Sequence, residues 1–171
     1  VRVSQGWAGA GYGMIHLPRI GQEVLVTFLD GNPDMPIVVG RVFNRSVPVP
    51  YPLPAEATKS TWKSDSVPGS IGFNEILLED RKGDELLSQQ AEKNRRALVK
   101  NDETMTIVRN REKKVLSEEI DTTLRDRTEV TVGDRKQSIE GSRTTSIGKD
   151  RGHHVKGVKS ERIEAGHEVF A

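Results

Sequence analysis

Apolar residues are distributed along this chain in three successive patterns. In the first, Val1 and Val3 alternate with polar neighbours, as in a half-buried strand. A glycine-rich turn follows, with Gly6, Gly9, Gly11 and Gly13 around Trp7 and Tyr12. Residues 14–18 predict a short strand stopped by Pro18. Residues 23–29, Glu-Val-Leu-Val-Thr-Phe-Leu, form the strongest strand pattern in the sequence. The Asp-Gly-Asn-Pro-Asp run at 30–34 behind them is a strong turn signal. Residues 37–43 predict a third strand. Short strands joined by tight turns point to a small barrel or sandwich.

The middle of the chain changes character. Prolines at 48, 50, 52 and 54 predict extended polyproline backbone, and the Ser/Thr/Lys-rich stretch after them reads as a surface loop, so 46–72 is expected to be a connector. Residues 75–80 look like a strand entering a turn at Arg81-Lys82-Gly83. Residues 84–100 are rich in Leu, Gln, Ala, Glu, Lys and Arg, which on propensity alone favour helix.

The last third carries a repeat of eight residues. Counted from Arg111, units begin at Arg111, Glu119, Arg127, Arg135, Arg143, Arg151, Lys159 and His167. The fifth position reads Val115, Thr123, Thr131, Ile139, Ile147, Val155 and Ile163. The sixth is apolar at Leu116, Leu124 and Val132, then polar at Glu140, Gly148, Lys156 and Glu164. The apolar anchor therefore moves from the sixth to the fifth position between Val132 and Ile139, a seven-residue step inside an eight-residue register. Gly133, Gly141 and Gly157 at the seventh position, and Asp126, Asp134 and Asp150 at the eighth, are expected to be corners.

A period of eight suits neither a helix nor a heptad coiled coil, but it fits a strand of about five residues plus a turn of about three. Most units from residue 135 onward offer one large apolar side chain. Burying it contributes roughly 1.5–3 kcal/mol, while ordering each residue costs about 1–2 kcal/mol. One copy cannot build a core from this. Three copies wound together can, because each layer meets at a shared axis and each backbone group finds a ladder partner. The expected axis residues are Leu116, Leu124 and Val132 in the first register, then Ile139, Ile147, Val155 and Ile163 in the second.

Composition supports the same view. The 171 residues are 34% hydrophobic and 30% charged, too polar for a comfortable monomeric globule. Twenty-six basic and 25 acidic residues leave a net charge of +1, so no global field points to nucleic acid or anionic lipid. There is no cysteine, which excludes disulfides and thiolate metal sites. No signal-peptide core and no apolar run of membrane-spanning length is present. The chain does not begin with Met and reads as an excised fragment.

The block Leu17-Pro18-Arg19-Ile20-Gly21-Gln22-Glu23-Val24-Leu25-Val26, continuing through Phe28-Leu29-Asp30-Gly31-Asn32-Pro33-Asp34-Met35-Pro36 to Gly40-Arg41-Val42-Phe43-Asn44, resembles the OB-fold core of the VgrG proteins of the type VI secretion system, relatives of the phage tail-spike hub. Phe73-Asn74-Glu75-Ile76 with Glu79-Asp80-Arg81-Lys82-Gly83 resembles that family's neck, and Lys100-Asn101-Asp102-Glu103 its entry to the shaft. The family's Val-x-Gly pattern is met at Ile139-Glu140-Gly141 and Val155-Lys156-Gly157. The resemblance implies an all-β chain: a partial OB-fold barrel over 1–45, begun inside the domain, then the connector over 46–72. Neck strands over 73–103 and an intertwined trimeric triple-stranded β-helix, a β-prism, over 104–171 complete it. It also implies strand rather than helix over 84–100.

No residue pattern in the sequence points to catalysis or to a bound metal. His153 and His154 are adjacent, and adjacent strand side chains point to opposite faces. His16 and His167 are far off in sequence, so no metal site and no cofactor is expected. Glu118-Glu119 and Asp84-Glu85 are carboxylate pairs on charged runs with nothing concave predicted around them. The glycines at 6, 9, 11 and 13 lack a following Gly-Lys-Ser/Thr, and no serine sits in a Gly-x-Ser-x-Gly elbow. Trp7, Tyr12 and Phe28 are the aromatics an OB fold would use on a single strand, but the region is not basic, and Phe28 lies mid-strand where core packing is expected.

The resemblance therefore implies a non-enzymatic homotrimeric spike, carrying effectors and contacting an inner-tube protein, a tip protein and a target-cell envelope. It would be assembled in the bacterial cytoplasm and exported through the type VI system. A phage or tailocin baseplate spike is the alternative within the class. A carbohydrate- or nucleic-acid-binding OB module is the alternative outside it.

Overall fold

Residues with alternating β-branched side chains and a tight Asp-Gly turn form the best-defined hairpin of the chain. The computed structural model describes residues 1–69, 71–160, 162 and 164. The chain divides into two units, Val1–Thr106 and Ile107–Ala171. Among the described residues there is no α-helix.

The first unit contains two three-stranded sheets. In the first sheet, β1 (Arg2–Val3) runs parallel to β3 (Pro36–Val42), and β2 (Glu23–Phe28) pairs antiparallel with β3 on its other side. The β2–β3 ladder carries a bulge between Leu25 and Val26. The connecting turn takes Asp30 to φ 51° and Gly31 to φ 71°, a left-handed pair that an Asp-Gly step supplies with little strain. Val38, at the centre of the sheet, is buried. Phe28, expected in the core, is 46% exposed at the end of β2 opposite Pro36.

Residues 14–17, expected as a strand, form none. Their neighbourhood is held by other bonds: a single bridge joins Ala8 to Gly13, Met14 N–H donates to the Trp7 carbonyl, and His16 N–H donates to the Gln5 side chain. The local side-chain acceptor takes the donor that a ladder would have used.

The second sheet is an antiparallel meander of β4 (Lys59–Lys63), β5 (Glu75–Glu79) and β6 (Leu86–Gln90). β4 lies inside the stretch expected to be a surface loop. Thr61 and Trp62 are good strand formers, and pairing with β5 supplies the partner that the local composition did not reveal. In β6 the helix-favouring run gives way to strand because Leu86 to Gln90 pair residue for residue with β5. The β5–β6 turn is closed by Gly83 at φ 94°, whose N–H donates to Glu85. Residues 91–100 are neither helix nor strand.

The second unit contains no strand among its described residues. Bend pairs instead recur at 108–109, 116–117, 124–125, 132–133, 140–141, 148–149 and 156–157, an unbroken period of eight. The shift of the apolar anchor between Val132 and Ile139 is thus not a shift of the backbone: the bends cross it in step. The corners fall at the sixth and seventh positions, rather than the expected seventh and eighth. None of the described glycines there has positive φ.

Candidate oligomerisation interface

Every described residue from 100 to 160 is exposed in the single chain, and between 107 and 158 no backbone–backbone hydrogen bond is formed. A regular backbone without internal pairing leaves its N–H and C=O groups to an external partner. The face that this partner meets follows from exposure and side-chain pairing.

The fifth-position residues form a column of nearly constant exposure: Ile107 45%, Val115 45%, Ile139 44%, Ile147 46% and Val155 43%. The sixth-position residues Leu116, Leu124 and Val132 are 88%, 94% and 100% exposed, and they sit in the bends. Ile120, Val130 and Val158, at the second, fourth and eighth positions, are 78%, 81% and 94% exposed. Odd and even positions therefore face opposite ways, as in extended chain.

Ion pairs identify which side is concave. Lys113 pairs with Glu119, Asp121 with Arg127 at 2.7 Å, and Glu129 with Arg135 at 2.9 Å; Arg143 donates to Gln137 at 3.2 Å. Each links the third position of one unit to the first position of the next, across one bend. At these four corners the same odd-numbered positions converge, so the odd face lies on the inside of the bends. Its side chains shield one another; those on the even face diverge.

Of the expected axis residues, Ile139, Ile147 and Val155 share the concave column, and Leu116, Leu124 and Val132 do not. Ile163 lies outside the described residues. The expected axis residues did not include Ile107 and Val115, which share the exposure of the column, nor Thr123 and Thr131, which stand at the same fifth position. His153, at a third position, and His154, at a fourth, fall on opposite faces by this register. No group of three or more potential metal-ligating side chains occurs among the described residues; His167 is not one of them.

The first unit holds a separate polar cluster that ties the proline-rich segment to the second sheet. Glu75 on β5 accepts from Tyr51 Oη at 2.8 Å and Thr61 Oγ1 at 2.6 Å. Lys59 and Lys63 lie over the Tyr51 ring, and Lys63 also over Phe73. Partial burial pushes the Glu75 carboxyl up, but the bonds from Thr61 and Tyr51 and the charges of Lys63 and Lys59 outweigh it, leaving Glu75 below its ordinary value of 4.5. The bond to Glu75 raises the Tyr51 hydroxyl in turn. Glu79, buried at the end of β5, is held low by the Thr58 side chain and the Arg81 N–H. A carboxylate depressed on folding stabilises above its ordinary value and loses that contribution as pH falls through its folded value. Thermal unfolding followed by circular dichroism should therefore weaken below about pH 4.5, and Glu75→Gln should flatten that acid limb. An unchanged limb would show that the cluster contributes nothing.

Trp7 and Tyr12 meet edge to face at 5.8 Å and stay well exposed. This T-shaped pair does not present the parallel faces on which successive bases stack.

Residues 60–170 match the family model of the bacteriophage T4 gp5 C-terminal trimerisation domain, and residues 1–43 match that of the type VI secretion system/phage-baseplate injector OB domain. Among curated proteins the chain is 52% identical over 117 residues to the type VI secretion system spike protein VgrG1b of Pseudomonas aeruginosa, covering 67% of this chain and 16% of that protein. It is 52% identical over 109 residues to VgrG1a of the same organism, covering 63% and 17%. The actin cross-linking toxin VgrG1 of Vibrio cholerae is 46% identical over 110 residues, covering 64% and 10%. The chain thus spans a small part of the length of each relative.

Proposed function

The chain belongs to the VgrG family of type VI secretion system spike proteins, and we propose that three copies of it wind into the shaft of a spike that contraction drives through a target envelope. It carries a trimerisation domain, and the matched region is structural rather than catalytic. The observation that carries the proposal is the second unit: regular bends every eight residues, with no backbone pairing of its own between 107 and 158. Three intertwined copies supply the missing ladder. A prism with no lateral edge then resists slippage.

On this reading the axis follows the concave column of Ile107, Val115, Thr123, Thr131, Ile139, Ile147 and Val155 in one register, with Ile163 next in sequence. The seventh-position glycines also fit. A Cβ at Gly133 or Gly141 would meet nothing within 4 Å in the single chain, so the reason for glycine lies in the approach of another copy. The OB portion occupies 1–45, the neck starts with β4 at Lys59, and the shaft starts near residue 104. The chain would be assembled in the bacterial cytoplasm and exported through the secretion apparatus. Its partners would be an inner-tube protein, a tip protein, effectors and the envelope it pierces.

Light scattering with far-ultraviolet circular dichroism on the same sample tests this. The expected result is the mass of three 19.0 kDa chains with a β-rich spectrum. A monomer would overturn the proposal.

A further inference from the structure

We propose that the Arg143 and Arg151 side chains of three copies meet on the shaft axis and bind a small multivalent oxyanion of the phosphate or sulfate class. This rests on the trimeric reading above. Down the concave face the first position stays basic, at Arg127, Arg135, Arg143 and Arg151, while the third position facing it across each bend runs Asp121, Glu129, Gln137, Thr145. The upper two arginines meet carboxylates at 2.7 and 2.9 Å. Arg143 meets only the neutral Gln137 amide, at 3.2 Å, and Arg151 forms no ion pair or hydrogen bond among the described residues.

The nearest carboxylates in sequence do not replace the missing ones. Glu140 occupies a bend, at the sixth position where Leu116, Leu124 and Val132 are almost fully exposed. Asp150 occupies the eighth position, where Val158 is 94% exposed. Both lie off the concave face. Lys136 and Lys149, at the second and seventh positions, add no negative charge.

In a single chain in water this imbalance matters little. On a three-fold axis it brings three guanidinium groups together at each of two levels, away from bulk solvent, where uncompensated charge is strongly unfavourable. Guanidinium cannot lose its proton at any ordinary pH, so compensation must come from an anion. The planar fork of arginine matches the oxygens of a tetrahedral oxyanion, and a symmetric ring of donors suits a ligand with several equivalent acceptors.

The test uses the full chain, unfolded and reassembled in inorganic phosphate, exhaustively dialysed, then denatured to release what was trapped. Phosphate is measured colorimetrically, and mass by light scattering before denaturation. The expected result is a trimer retaining about one phosphate per three chains or more, with a melting temperature raised by assembly in phosphate relative to chloride at matched ionic strength. Gln137→Glu with Thr145→Glu extends the upper carboxylate pattern downward and is expected to remain trimeric with its phosphate lost. Arg143→Gln with Arg151→Gln is expected to lose phosphate as well. A parent trimer without phosphate, or variants that retain as much phosphate as the parent, would overturn this inference and leave the trimeric reading standing. A monomeric parent chain would overturn both.

Discussion

Ile147→Asp is expected to dissociate the trimer completely at micromolar concentration, with loss of β-type ellipticity from the second unit. The substitution removes an apolar side chain whose burial contributes roughly 1.5–3 kcal/mol per chain. In its place it sets three carboxylates around one axis at the level where apolar side chains pack, each carrying a desolvation penalty of several kcal/mol. The sum rivals the whole net stability of an ordinary domain, about 5–15 kcal/mol. The adjacent pair Thr123 and Leu124 then decides the register. Thr123→Asp should dissociate the trimer as Ile147→Asp does, because Thr123 continues the column of Val115 and Ile139. Leu124→Asp should leave the mass unchanged and stability within about 0.5 kcal/mol, because Leu124 sits in a bend and is 94% exposed. Sedimentation velocity reads both. The reverse outcome, with Leu124→Asp dissociating and Thr123→Asp not, would place the sixth position on the axis in the upper shaft.

That register shows what the sequence makes legible and what it conceals. The β2–β3 hairpin was readable because alternation, a bulky apolar run and an Asp-Gly turn all specify the same local geometry. The period of eight was readable because glycine and arginine recur in phase. The inward face was not, since an extended chain presents two faces and only contact across the bends distinguishes them. Between 115 and 132, Leu116, Leu124 and Val132 offer more hydrocarbon than Thr123 and Thr131, so hydrophobicity alone selects the sixth position, whereas the proposed register takes the fifth. A large apolar side chain marks burial only where the backbone turns it inward.

Elsewhere the misleading signals were local ones overruled by pairing. Residues 86–90 carry helix formers, yet Glu75 opposite Gln90 and Glu79 opposite Leu86 fix them as strand. Residues 59–63 lack an aliphatic run, but β5 beside them recruits Thr61 and Trp62. The resemblance to a known family anticipated strand over 84–100, which is met at 86–90 and not at 91–100, whereas composition alone read 59–63 as loop. The ion pairs six residues apart follow no helix or simple hairpin spacing, and only the recurrent bend makes them neighbours.

Those ion pairs give the second large effect. If the concave face is the axis, Glu129 and Arg135 are enclosed on assembly, although in the single chain their side chains are 48% and 62% exposed. Removing one member of an enclosed pair leaves the other charge uncompensated, at about 3–5 kcal/mol per pair, whereas replacing both with apolar groups of similar volume is neutral or stabilising. Arg135→Met should therefore lower the stability of the assembled trimer severely, since the same defect is repeated in all three chains. Glu129→Leu with Arg135→Met should restore it to the parent level or above. A solvated pair behaves differently: each exposed ion pair contributes about 0–1 kcal/mol, so the single and double variants would fall close together near the parent. Denaturant midpoints for the four proteins of this cycle, taken at low and high salt, separate the cases. A large single-variant loss that the double variant recovers, nearly independent of salt, requires the pair to be enclosed. A small loss that vanishes in salt would put the odd face in solvent and the axis on the other side of the chain.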